Sequence, residues 1–192
     1  SIPMTYKHTA ISEISVPRAV VPAFQHALDT YASETSKTAS IWEAFGDADL
    51  DWHPHPRSST VREIFRHQLL SERRFFAEFM LVPEPAAEAV LPPEDRAASY
   101  TDRLVSLAQP RLPFLARQEA DWWAAREPFF DVERERIWIF WRRVLHSAHH
   151  RTQLAVYLRL MDRPVPPIYG PTADMTWQGA DPTVTVEASG RK

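Results

Sequence analysis

Three histidines fall within five residues of the stretch "LHSAHHRTQL": His146, His149 and His150. On a helix, residues four apart lie about 40° apart around the axis and one turn apart along it, so His146 and His150 point the same way. Stacked imidazoles let one helix offer two nitrogens to a single divalent ion, as in the HExxH helix of zinc proteases. Here the pattern is HxxxH with no intervening glutamate, so the general base of those proteases is missing. His149 is turned about 100° from His150 and cannot easily share an ion with the other two. Gln153 and Tyr157 continue the face of the pair. Spacing alone does not separate a ligand pair from two ordinary polar histidines.

Two ligands from one helix rarely complete a site, so a third is expected from a neighbouring helix. Besides His26, the histidine inside another well-formed helical segment is His67, in "VREIFRHQLLSERRFF". It shares a face with Ile64, Ser71 and Phe75, and a helical bundle builds metal sites from facing helices. Three neutral imidazoles leave coordination positions for water or substrate, the open arrangement of catalytic rather than structural sites. The remaining histidines read otherwise. His53 and His55, in "DWHPHP", form an HxH pair able to bind metal, but in a Pro-bounded loop before a capped helix they read rather as a loop feature near the pocket rim; His26 lies on the first helix, and His8 carries no argument.

Four elements must position these residues. A first helix is expected over residues 20–45, with Phe24, Leu28, Tyr31, Thr35, Thr38 and Trp42 as its buried stripe. A second starts at Thr60, where "TVRE" reads as a capping box. A third, over residues 99–120, contains Pro110 and Pro113 and is expected to kink or split. The fourth, over residues 132–161, opens with acids that suit a helix N-terminus, stops at "DRPVPP", and is apolar nearly all round, which places it in the bundle interior. The aromatics Trp122, Trp123, Phe129, Phe130, Trp138 and Trp141 near its start are expected in the core, with some lining the pocket or a dimer face. The fold class is all-α, a four-helix bundle with Pro-rich connections. The long connection over residues 81–98 allows a crossover. The tail from Pro171 packs through Tyr169 and Trp177 and frays after about Thr183.

Composition sets the outer limits. The 192 residues suit one domain over 1–192, with a core of about 20–177. Four glycines against 17 prolines argue against a turn-rich β sandwich. The absence of cysteine excludes disulfides, thiolate zinc sites and a Cys nucleophile. A net charge of −3 with no basic block excludes nucleic acid as a partner. No apolar run reaches the ~18 residues that span a membrane. "SIPMTYKHTA" lacks the pattern of a signal peptide, so the cytoplasm is the expected location.

Two segments together resemble a known family. "LHSAHHRTQLAVYLRLMDRPVPPIYGPTADMTW" is similar to the C-terminal signature of the DinB-like family, the DinB/YfiT-like metalloenzymes. "RSSTVREIFRHQLLSERRFF" is similar to that family's earlier motif, a Thr-capped helix carrying one histidine. The resemblance covers about residues 20–177 and implies a four-helix bundle with a three-His metal site, whose ligands fall on His67, His146 and His150. It also implies zinc, nickel or iron as the ion, a low-molecular-weight thiol such as bacillithiol or mycothiol in some relatives, and a homodimer. Relatives often carry a small residue where this chain has Thr152.

The functional expectation is therefore a metal-dependent enzyme that activates water or a low-molecular-weight thiol for attack on a small electrophile, in the manner of a thiol transferase or hydrolase. Gln153, Tyr157, Arg151, His149 and Glu72 are the candidates to orient ligands, handle protons or, for Arg151, meet an anionic substrate or dimer partner. The alternative is a non-catalytic dimeric bundle, stress-related or metal-binding.

Overall fold

The computed structural model describes residues 4–6 and 10–177. Chain order is β1 (Met4–Tyr6), α1 (Gln25–Trp42), α2 (Val61–Arg74), α3 (Ala97–Ala108), α4 (Arg111–Ala116), α5 (Ala120–Ala124), β2 (Arg126–Phe129), β3 (Val132–Glu135), α6 (Arg136–Leu160) and β4 (Met175–Trp177). α1 packs against α3 and α6, and α2 packs against the same two. The four long helices thus close a ring, with α1 and α2 at opposite corners, so the chain crosses the bundle between them. His8 and the segment beyond Thr183 lie outside the described residues.

The element boundaries follow local chemistry. Pro22 starts a single 3-10 turn, Pro22–Phe24, so α1 begins at Gln25 rather than residue 20. The Thr60 hydroxyl accepts from Glu63 N–H at 3.1 Å while the Glu63 carboxylate accepts from Thr60 N–H at 2.7 Å, the expected capping box. α2 runs on into a π-turn, Phe75–Phe79, in which Met80 N–H reaches Phe75 C=O. The third helix splits as its prolines require. Pro110 caps α4, and Pro113 sits in its first turn, where no N–H is needed. α6 ends on a Schellman closure. Asp162 adopts φ 57°, Arg163 N–H reaches Leu158 C=O, and Asp162 N–H reaches Arg159 C=O.

One element departs from expectation. Residues 132–135 are not the first turn of the fourth helix but the second strand of a hairpin, β2–β3, with Phe129 paired to Val132 across a two-residue turn. Of the acids that read as a helix start, Glu135 pairs across the hairpin instead, and Glu133 stands opposite Pro128. Arg126 faces and ion-pairs Glu135, and Glu127 faces Arg134. Such cross-strand charge pairs favour the ladder over a helix. Phe130, at φ 54°, makes the turn and is 63% exposed. The core placement expected for the aromatics holds for Trp123 and Phe129, while Trp122 and Trp141 pack at its edge and Phe130 and Trp138 face solvent.

The core is divided. One apolar cluster joins the first half of α1 (Leu28, Tyr31), the π-turn (Phe75, Phe76), α4, α5 and the start of α6 (Ile139, Phe140). The other joins the end of α1 (Ile41, Trp42), the start of α2 (Ile64, Phe65, Leu69), α3 and the end of α6 (Leu154, Tyr157, Leu158). Between them the same helices bury polar side chains: Thr35 and Thr38 on α1, Gln68 and Glu72 on α2, Arg143 and Arg151 on α6. Apolar packing above and below holds this mid-bundle polar layer, and His67, His146 and His150 stand at its solvent edge between α2 and α6. α6 is not interior all round as expected, because Leu145, Val156 and Leu160 are more than half exposed. The tail packs as expected through the Tyr169 hydroxyl, and β4 pairs in parallel with β1, Trp177 opposite Tyr6. No helix among the described residues is long and apolar enough to cross a membrane.

Candidate metal centre

α2 and α6 bring His67, His146 and His150 together. The ring centroids lie 5.5 Å apart for His67–His146, 4.8 Å for His67–His150 and 4.6 Å for His146–His150. One nitrogen from each lies within 4.8 Å of the others. The two on α6 are closest, with Nε2 atoms 3.0 Å apart. Nitrogens about 2.05 Å from a tetrahedral ion lie about 3.3 Å from each other. The α6 pair thus stands near the ligand spacing, and the exposed His67 ring brings its nitrogen within 4.8 Å of both. The site opens to solvent on the His67 side and is not enclosed in the interior.

A hydrogen-bond chain sets the His150 tautomer. Ser59 C=O can only accept, so the Tyr157 hydroxyl donates to it at 2.8 Å and must itself accept from the Gln153 amide at 3.3 Å. That orients Gln153 Oε1 toward His150 Nδ1 at 3.2 Å. Nδ1 therefore carries the proton, and Nε2 keeps its lone pair facing His146 and His67. Support of this kind is what orients metal-binding imidazoles. His146 Nδ1 is buried without a hydrogen-bond partner, so its position is held by packing: its ring stacks on Phe75 at 6.1 Å.

Charge favours neutral imidazoles. Burial is the first cause that lowers all three pKa values, and His146 is pushed down to about 3, with Arg143 the next cause there. Arg143 is also the next cause at His67, and at His150 the remaining downward push comes from His67, His149 and Arg143. All three are thus unprotonated at neutral pH, the state a metal ion requires.

His149 is exposed with its ring 5.0 Å from His150 and outside the three-nitrogen group. Gln153 and Tyr157 stand behind His150 as described. Arg151 is not available to a substrate or a partner: it is buried, ion-pairs Glu34 at 2.5 Å and donates to the Tyr169 hydroxyl at 2.9 Å. Glu72 is buried and ion-pairs Arg111 at 3.0 Å. His53 and His55 bond within their own loop, and His26 stacks on Trp141. Sequence reasoning missed the residues behind the histidines. Gln68 donates to the Ser147 hydroxyl at 2.8 Å, and Arg143 binds Gln68, Ser71 and Ser147. The available signal was position: Gln68 and Ser147 are polar residues that each directly follow a candidate ligand.

Helical bundle, polar mid-layer and three convergent imidazoles together define a class of protein with a three-His site able to hold a divalent ion. The DinB family profile matches residues 20–182, and the chain belongs to that family. It is similar in fold to a DinB-like protein from Bacillus cereus, with a TM-score of 0.66 and 18% identity over 74% of this chain and 95% of that one. The DinB-like protein YjoA from Bacillus subtilis is also similar, with a TM-score of 0.53 and 18% identity over 75% of this chain and 96% of the other. No curated protein matches the chain.

Proposed function

We propose that the protein is a metal-dependent enzyme in which His67, His146 and His150 hold one divalent ion and a small electrophile is attacked by water or a low-molecular-weight thiol. The observation that carries the reading is the convergence of three imidazole nitrogens on one solvent-open point, backed by the Gln153–Tyr157–Ser59 chain. An all-imidazole set suits zinc, nickel or iron. When bound there, the ion supplies Lewis acidity, which brings the pKa of water or a thiol toward neutrality. The protein's own part is to hold the nitrogens, to keep them unprotonated by burial, and to leave the His67 side open for the reactants. Thiol transfer or hydrolysis both follow from such a site. The expected partner is a second copy of the chain, supported by the exposed apolar stripe of Trp138, Leu145, Val156 and Leu160 along α6.

The test is elemental analysis of untagged protein, titration with zinc and nickel, and assay against a panel of thiols and electrophiles. One ion per chain and turnover that disappears in a folded His150→Ala variant are expected. Failure to take up either metal overturns the site; stoichiometric metal without turnover overturns the enzymatic part.

A further inference from the structure

Arg143 is completely buried on α6, one turn before His146. Its guanidinium donates to three neutral oxygens: Ser71 Oγ at 2.7 Å, Gln68 Oε1 at 2.8 Å and Ser147 Oγ at 3.0 Å. Each of these side chains adjoins a metal-site histidine, since Gln68 follows His67, Ser71 lies one turn beyond it, and Ser147 follows His146. The guanidinium also lies over the Phe75 ring at 5.0 Å, the ring on which His146 stacks. Among the described residues no carboxylate is hydrogen-bonded to it. The buried acids of the same layer, Glu72 and Glu84, are both ion-paired to Arg111. Glu72 acts on Arg143 only through longer-range attraction, and burial pulls the guanidinium down to about 10, still charged at neutral pH.

A buried charge without a direct counter-ion is costly to keep. Here it is fixed, shielded from water and held by the residues beside the ligands, and its charge acts on all three imidazoles, so part of its field reaches their open side. We propose that Arg143 is a positioning residue that makes the metal centre select an ionised fourth ligand, a small anion such as a thiolate or carboxylate, over a neutral one of similar size. This rests on the metal reading above and names the charge of the ligand that reading leaves open.

The experiment loads the protein with cobalt(II), whose visible spectrum reports on a changing ligand, and titrates azide as the anion and imidazole as the neutral probe at pH 8. Arg143→Met is expected to weaken azide about fivefold or more while imidazole stays within about twofold, and Arg143→Lys to restore azide. Gln68→Glu places a carboxylate against the guanidinium at nearly unchanged shape and is expected to mimic Arg143→Met, which keeps the test decisive if the methionine variant fails to fold. Arg142→Gln, which removes an exposed charge from the preceding residue, is expected to matter little. Equal azide affinity in wild type and Gln68→Glu, or equal weakening of azide and imidazole, overturns the proposal and leaves the metal site standing. Absence of cobalt uptake overturns the metal reading and this inference with it.

Discussion

The Nε2 atoms of His146 and His150 stand 3.0 Å apart, one helical turn removed from each other and facing His67 across the α2–α6 interface. Two unprotonated imidazole nitrogens repel at that distance, so one must donate a hydrogen bond to the other or an ion must lie between them. His150 Nδ1 already holds its proton for Gln153, so without metal the donor is His146 Nε2. Metal binding must then displace that proton. Either histidine changed to alanine is expected to abolish stoichiometric zinc uptake with helicity retained by circular dichroism, whereas His149→Ala leaves uptake unchanged. Zinc binding that survives in His146→Ala and His150→Ala together places the ion elsewhere.

Gln153 acts through His150. Its Oε1 holds Nδ1–H and its amide rests on Tyr157. Gln153→Leu keeps the bulk but removes the acceptor, and a loss of about 10- to 100-fold in zinc affinity follows. Tyr157→Phe breaks the outer link to Ser59 C=O and should cost less. Competition against a chelator of known affinity measures both, and equal affinity in all three proteins would show that the chain only packs.

The histidines also tie stability to pH. Their folded pKa values lie below the ordinary histidine value, with His146 at about 3. Below pH ~6.5 the unfolded chain therefore binds protons that the folded chain refuses, and stability falls as pH drops from there toward the folded values. Thermal melts of metal-free protein between pH 7.5 and 4 should show Tm declining below about 6.5, with a shallower decline in His146→Ala. Acidic side chains add their own slope, so the difference between the two proteins is the measurement. Parallel curves would remove the histidines as its source.

The three-His group was legible because its ingredients are local. HxxxH fixes the α6 pair by helical period alone, and the Thr60–Glu63 box sets the start of α2 and hence the phase of His67. Pro110 and Pro113 likewise announced the break between α3 and α4. The β2–β3 hairpin was not legible, because Glu133 and Glu135 before an apolar helix look like favourable first-turn acids until Arg126 on the facing strand is seen paired with Glu135. Nor was the polar layer. Arg143 meets Gln68 and Arg151 meets Glu34 across helices, at sequence separations of 75 and 117 that no local pattern encodes. From sequence, Arg151 beside the histidines looked like a residue for substrate or partner; packing gives it to Glu34.

Arg151 is held between Glu34 and Tyr169, with its guanidinium 5.4 Å from the tyrosine ring centroid, and Glu34 also accepts from the Tyr169 hydroxyl at 2.7 Å. The trio ties α6 and α1 to the segment after α6. Removing one member of a buried ion pair leaves the other charge uncompensated and typically costs about 3–5 kcal/mol. Lys37 still faces Glu34 at 3.8 Å, so Arg151→Met should lower unfolding stability by an amount at or below the low end of that range, roughly 3 kcal/mol at most, in denaturant titrations of the metal-free protein. Glu34→Gln should cost less, because the amide still accepts one hydrogen bond. Zinc affinity at temperatures where the variant remains folded should stay within about threefold of wild type, a change under 1 kcal/mol. A stable Arg151→Met that loses metal or substrate binding would instead return this arginine to the site.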